Sequence, residues 1–155
     1  IQNLSDFLRF VLKNRDKHLI TLNEELEACQ MYLYLQKARF GNNLNWENNI
    51  DEELRNTYVA PLTIQMLLEN AIKHNIISKE KPLLISIGSE KNGYIYVENN
   101  IQKKLSESST GIGLKNIIER YEYLSAPKPQ IIENSSIFKV IIPLIKKHYE
   151  KNIDN

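Results

Sequence analysis

The sequence predicts an α+β fold: a helical hairpin, then a two-layer α/β sandwich with helices on one face of a mixed, mainly antiparallel sheet. Three observations carry this expectation. Residues 1–40 hold two long segments with a helical spacing of apolar residues. Beyond Gly41 the period falls to two in several short segments, two of them joined by the hairpin turn signal Asn92-Gly93. Among those strands lie two amphipathic helices, over 61–75 and from Gly111 onward.

Residues 1–14 read as a helix whose apolar positions are Leu4, Phe7, Leu8, Val11 and Leu12. A polar break, KNRDKH, follows, and its His18 reads as a solvated loop histidine. Thr21 and Glu24 form a capping box, each side chain able to reach the other's backbone N–H. The helix begun there places Leu22, Leu26, Cys29, Leu33, Gln36 and Phe40 on a heptad seam. Narrow seams bury little by themselves, so the hairpin is expected to pair with a second copy. Packing of both helices on their own domain is the other reading.

Alternation at Leu44, Trp46, Asn48 and Ile50 predicts a strand, and DEELRN a loop. In the helix over 61–75, Ile64, Leu67, Leu68, Ala71 and Ile72 form one apolar stripe. Asn70, Lys73 and His74 project from the other side. Pro61 suits the first helical position, where its missing N–H has no partner to lose. A carboxamide followed one turn later by a cation and an imidazole can hold a metal-bound polyphosphate; a solvated outer face would show the same residues.

Leu83, Ile85 and Ile87 mark the next strand, and YIYVEN pairs back to it across Asn92-Gly93. IQKKLSESST, residues 101–110, has no periodicity and reads as a mobile loop. Gly111-Ile112-Gly113-Leu114-Lys-Asn116 then opens a helix with Leu114, Ile117, Ile118, Tyr121 and Leu124 on one face. Glycines at a helix start let a ligand approach the backbone, where free N–H groups and the helix dipole favour anions. A tight loop-to-helix junction needs the same residues. Two strands joined by Asn134-Ser-Ser and a charged tail from Lys146 close the chain.

Composition narrows the classes. The 155 residues are 42% hydrophobic without a run of membrane-spanning length. The net charge of +1, with acids and bases interspersed, leaves no electrostatic footprint for nucleic acid or an anionic membrane. Cys29 is the single cysteine, which excludes an internal disulfide and a multi-cysteine zinc site and fits a reducing cytoplasm. The chain lacks an initiator Met and opens in mid-pattern, as expected of a fragment of something longer.

The order E-N-A-x-K-H helix, hairpin, loop and G-x-G-L-x-N resembles the ATP-binding (Bergerat) domain of the GHKL superfamily, shared by histidine kinases and the gyrase and MutL ATPases. More narrowly, LNEELEACQMYLYLQKARF, VAPLTIQMLLENAIKHN and STGIGLKNIIERYEYL resemble the LytS-type sensor histidine kinases. The resemblance implies ATP and Mg²⁺ as ligands. Asn70 matches the asparagine that ligates Mg²⁺, Lys73 and His74 match neighbours of the phosphates, and Gly111, Ile112, Gly113, Leu114 and Asn116 match the glycine box.

Asn99 stands where most relatives carry an aspartate that accepts from the adenine amino group, and Asn100-Ile101-Gln102 lacks the usual glycines. A neutral amide oxygen is the weaker acceptor. Met66, four residues before Asn70, replaces the glutamate base of hydrolytic relatives. The phosphoacceptor motif, a histidine followed by Phe-x-Phe-Asn, surrounds none of His18, His74 or His148.

The resemblance implies a sensor kinase that moves the γ-phosphoryl group of ATP to a histidine outside this fragment and onward to a response regulator, of LytTR type. It implies a homodimeric parent, with this part a cytoplasmic domain of a bacterial inner-membrane sensor. Expected divisions are a partial dimerisation hairpin at 1–42, an ATP-binding domain at 43–147 and a tail at 148–155. The alternatives are a pseudokinase that relays signals without nucleotide, and a GHKL-type ATP hydrolase.

Overall fold

We describe residues 2–105 and 111–146 of a computed structural model, leaving aside the side chains of residues 2 and 3. The tip of the expected loop, 106–110, and the tail at 148–155 with His148 lie outside the described residues.

The elements run α1 (Gln2–Asn14), β1 (Ile20–Thr21), α2 (Leu22–Phe40), β2 (Leu44–Asn49), β3 (Tyr58–Val59), α3 (Thr63–His74), β4 (Leu83–Glu90), β5 (Tyr94–Asn100), α4 (Ile112–Tyr123), β6 (Gln130–Glu133) and β7 (Ile137–Pro143). The main sheet has the order β2-β4-β5-β7-β6. Only the β2–β4 pairing is parallel, because the chain between them crosses over through α3. The expected α+β sandwich is therefore present, with a mixed, mainly antiparallel sheet. Asn92 and Gly93 take φ of 64° and 79°, the doubly left-handed turn that matches strand twist.

On the inner face of the sheet, Ile85, Ile87, Ile95, Val97, Val140 and Ile142 are buried. Ile64, Leu67, Leu68, Ala71 and Ile72 of α3 and Ile117 and Tyr121 of α4 complete the same core. The stripe expected on α3 is thus the buried one, which leaves Asn70, Lys73 and His74 outside the core.

Three local expectations are corrected, and one pairing is new. Pro61 is not the first helical residue: Leu62, with φ of 65°, turns the chain before α3 starts at Thr63. The narrow seam on α2 is a broad stripe, since Glu25, Ala28 and Tyr32 are buried beside Leu22, Leu26, Cys29 and Leu33. The reason is that α2 packs against both α1 and α3. DEELRN contains a 3₁₀ turn at Glu52–Asn56 rather than a plain loop. The two-residue strands β1 and β3, too short for any periodicity, pair as a separate small sheet.

Helix α1 divides its apolar residues. Phe7 and Phe10 pack toward the core, while Leu4, Leu8 and Leu12 are 48%, 50% and 65% exposed along one line. Thr21 caps α2 as expected, its Oγ1 accepting from Glu24 N at 3.1 Å. Among the described residues, no helix is long and apolar enough to cross a membrane.

Candidate functional site

The C-terminal half of α3, the end of β5, the start of α4 and the first residues after β5 enclose a cavity of about 340 Å³. Asn70, Lys73 and His74 line it together because positions three and four apart share a helix face. Asn99 lines it from the sheet, and Gly111, Gly113 and Leu114 line it from the start of α4. Three segments far apart in sequence thus meet at one opening. Ile112 and Asn116 do not line it: both point outward on the first turns of α4, Ile112 at 58% exposure.

Gly111 caps α4 in the left-handed region, with φ of 70°, so that the first N–H groups of the helix follow a sharp turn. The first turn of α4 carries no acidic side chain to compete for those donors. Gly113 brings the helix against α3. A β-carbon on it would lie 3.4 Å from Asn70 Nδ2 and 3.4 Å from Met66 Sδ.

Asn99 is buried on the inner face, in register with Ile85 on one side and Phe138 on the other. Its Nδ2 donates to the Asn100 carbonyl at 2.8 Å. The amide nitrogen is thereby engaged, and Oδ1 remains as the acceptor a base amino group requires.

Sequence reasoning missed the residues that form the base of the loop after β5. Asn75 is buried; its Nδ2 donates to Ala71 O at 2.8 Å and its Oδ1 accepts from Gln102 N at 2.7 Å. Ile76 N donates to Gln102 O at 2.7 Å, and Gln102 Nε2 reaches the carbonyls of Ile76, Lys81 and Pro82. Ile101 and Lys103 line the cavity, and Lys103 Nζ pairs with Glu133 of β6 at 2.8 Å. Where the resemblance leads one to expect glycines, side chains tie this segment to α3 and the sheet. Only the polar character of Asn75 and Gln102 hinted at this.

A metal would need most of its ligands from elsewhere. Among the described residues no group of three or more histidines, cysteines or carboxylates converges. One asparagine beside an anion-accepting helix start suits a hard ion that keeps waters and takes oxygens from a polyphosphate, as Mg²⁺ does. The residues fit the metal nucleotide that the resemblance implies.

A second polar cluster lies at the other ends of α3 and α4. The Glu25 carboxylate, on α2, accepts from Leu62 N at 2.8 Å and Gln65 N at 3.2 Å. Burial pushes its pKa up to about 7, against the lowering effect of these N–H groups and of Arg120. Arg120 donates to the Pro61 carbonyl, and Tyr121 OH accepts from Ala60 N at 3.3 Å.

A family model described as histidine kinase matches residues 1–44. The sensor histidine kinase/phosphatase LytS of Staphylococcus aureus strain MRSA252 is 33% identical over an alignment of 134 residues, with 74% of this chain and 22% of that protein covered. LytS of strain N315 is 32% identical over the same share. The chain therefore spans about a fifth of the length of these curated relatives, 22%.

Among solved structures, the histidine kinase domain of the Erythrobacter litoralis EL346 blue-light activated kinase aligns with a TM-score of 0.58 at 15% identity, over 99% of this chain and 78% of that one. The catalytic domain of histidine kinase ThkA aligns with a TM-score of 0.52 at 15% identity, over 81% and 95%. ThkA in complex with the response regulator protein TrrA aligns at 0.50 and 17%, over 92% and 47%. At these identities the likeness is one of fold.

Proposed function

The chain belongs to the LytS-type sensor histidine kinases, and on that premise we propose that it is the ATP-binding catalytic part of one, passing the γ-phosphoryl group of ATP to a histidine supplied by another segment. The observation that carries the proposal is the convergence of Asn70, Lys73, His74, Asn99, Gly111 and Gly113 on one cavity. In this reading Asn70 Oδ1 would hold Mg²⁺, which when bound would supply neutralisation of phosphate charge. Lys73 and His74 face the phosphates, and the first N–H groups of α4 receive their oxygens. Asn99 Oδ1 accepts from the adenine amino group. Leu114 lines the cavity beside Gly113. Catalysis consists of positioning and charge neutralisation, with the nucleophile brought from outside.

Met66 supports a kinase over an ATP hydrolase. Its thioether lies against Gly113, four residues before Asn70, and cannot take a proton from water. One observation favours a second reading, a pseudokinase that relays signals without nucleotide: Ile101, in the segment that lacks the usual glycines, and the Lys103–Glu133 pair form part of the cavity wall.

The proposal extends to organisation and partners. Residues 1–42 would be part of a dimerisation hairpin, 43–147 the nucleotide-binding domain and 148–155 a tail. The exposed line Leu4–Leu8–Leu12 suits pairing with a second copy. A response regulator of LytTR type would receive the phosphoryl group, and the parent would be a membrane sensor with this part on the cytoplasmic side.

Calorimetric titration with a non-hydrolysable ATP analogue, with and without Mg²⁺, tests the function. Saturable, Mg²⁺-dependent binding is expected; no binding up to millimolar nucleotide would favour the relay.

A further inference from the structure

Glu25 is the only buried carboxylate among the described residues, and the phosphotransfer chemistry makes no use of it. It belongs to α2, yet its oxygens are spent on the first turn of α3. Oε2 takes Leu62 N and Oε1 takes Gln65 N, with the Ile64 N–H beside them. The left-handed Leu62 makes these N–H groups converge, and the carboxylate does for α3 what a local N-cap side chain would do.

The same point fixes α4. Arg120 faces Glu25 and donates to the Pro61 carbonyl, while Tyr121 OH accepts from Ala60 N. Six residues or more separate these groups from Gly113, at the other end of α4, which packs on Asn70. Both helices that frame the cavity are thus held at their far ends by one cluster, whose acid comes from the hairpin.

We propose that Glu25 is a positioning residue: it ties the hairpin helix α2 to the two helices that present the nucleotide, and ionisation of its carboxylate loosens that tie. This rests on the nucleotide reading of the cavity. The charged and titratable groups facing Glu25 are Arg120 and Tyr121 from α4 and Cys29 from its own helix; α3 offers backbone N–H groups. Protonation favours the docked arrangement, because an undocked Glu25 regains water and releases its proton at the ordinary carboxylate pH. Rising pH therefore loosens α2. The setting of the hairpin and the local proton concentration reach Asn70 by the same route.

Trp46, the single tryptophan, reports on α2, since Tyr34 meets its ring edge-on at 5.9 Å and Lys37 Nζ lies 5.7 Å from it. The test follows Trp46 emission of the full chain from pH 5.5 to 8.5, together with affinity for Mg²⁺ and a non-hydrolysable ATP analogue. The wild type is expected to show an emission transition near pH 7 and, relative to Glu25→Gln, a loss of about fivefold in affinity across it. Glu25→Gln should show neither. Should Glu25→Gln fail to fold, Glu25→Asp, which keeps a carboxylate on a shorter arm, should move the midpoint. Asn70→Ala should lose nucleotide and keep the emission transition. A transition that persists unchanged in the Glu25 variants, or identical pH profiles of affinity in wild type and Glu25→Gln, overturns the proposal. A wild type that binds no nucleotide, with a transition that Glu25→Gln removes, overturns the nucleotide reading and leaves the tie standing.

Discussion

The α-carbon of Gly113 lies against the Asn70 side chain, so close that a β-carbon would stand 3.4 Å from Nδ2 and 3.8 Å from Oδ1. The second glycine of G-x-G-L-x-N thereby sets where the Asn70 amide can point. Gly113→Ala is expected to be tolerated with a small loss of nucleotide affinity, since 3.4 Å is still contact distance. Gly113→Val, with two further methyl carbons, should displace Asn70 and weaken binding by about tenfold or more. Titration of both variants with a non-hydrolysable ATP analogue checks the order; equal affinities would break the link between the two residues.

Asn70→Ala removes the one side chain assigned to the metal. Mg²⁺-dependent enhancement of nucleotide binding should disappear, while the melting temperature changes little, because Asn70 is only partly buried and lies outside the hydrophobic core. Calorimetry with and without Mg²⁺ is the measurement. An intact Mg²⁺ effect would remove Asn70 from the site.

Asn99→Asp introduces the carboxylate that the resemblance leads one to expect there and should strengthen binding of the base. The structure adds a cost: the nitrogen that donates to the Asn100 carbonyl at 2.8 Å would become an oxygen facing an oxygen. The variant should lose about 1–3 kcal/mol in chemical unfolding while gaining affinity. Asn99→Leu, with no acceptor at all, should weaken adenine nucleotides about tenfold. No change in either would mean that the base is held by other groups.

Glu25 also shapes stability against pH. Its folded pKa of about 7 lies above the unfolded value of 4.5, so the folded state binds more protons between these values. The contribution is fully present below about pH 4.5 and is lost as pH rises through about 7. Urea unfolding of the wild type should therefore show a decline on the order of 3 kcal/mol across this window from this group. Glu25→Gln, which cannot ionise, should lack that component. A wild-type profile matching that of the variant would place Glu25 in water.

Much of this architecture was legible in advance. Hydrophobic period two in Leu83, Ile85 and Ile87, and the Asn92-Gly93 turn, foretold β4 and β5 because strand alternation and left-handed turns are local properties. Asn70, Lys73 and His74 could be placed on one face from helix geometry alone, and Thr21 as a cap from its spacing to Glu24. Pro61 misled because proline's fit to a helix start is also local, whereas α3 begins after Leu62, where Glu25 is available to cap it.

The sequence by itself determined which residues pair with which local partner: the periods of the strands and helices, the turn at Asn92-Gly93, and the polar edge of α3. Only the tertiary structure decided that Asn99 and Gly113 stand beside Asn70, that Gln102 is strapped to Asn75, and that an acid on α2 caps α3 across 37 and 40 residues of chain. The reason is physical. Alternation and capping spacing follow from backbone geometry within a few residues, but a long-range contact forms only when burial of apolar faces brings distant segments together. Nothing in the local pattern of Glu25 distinguishes a solvated helix acid from one buried to hold another helix.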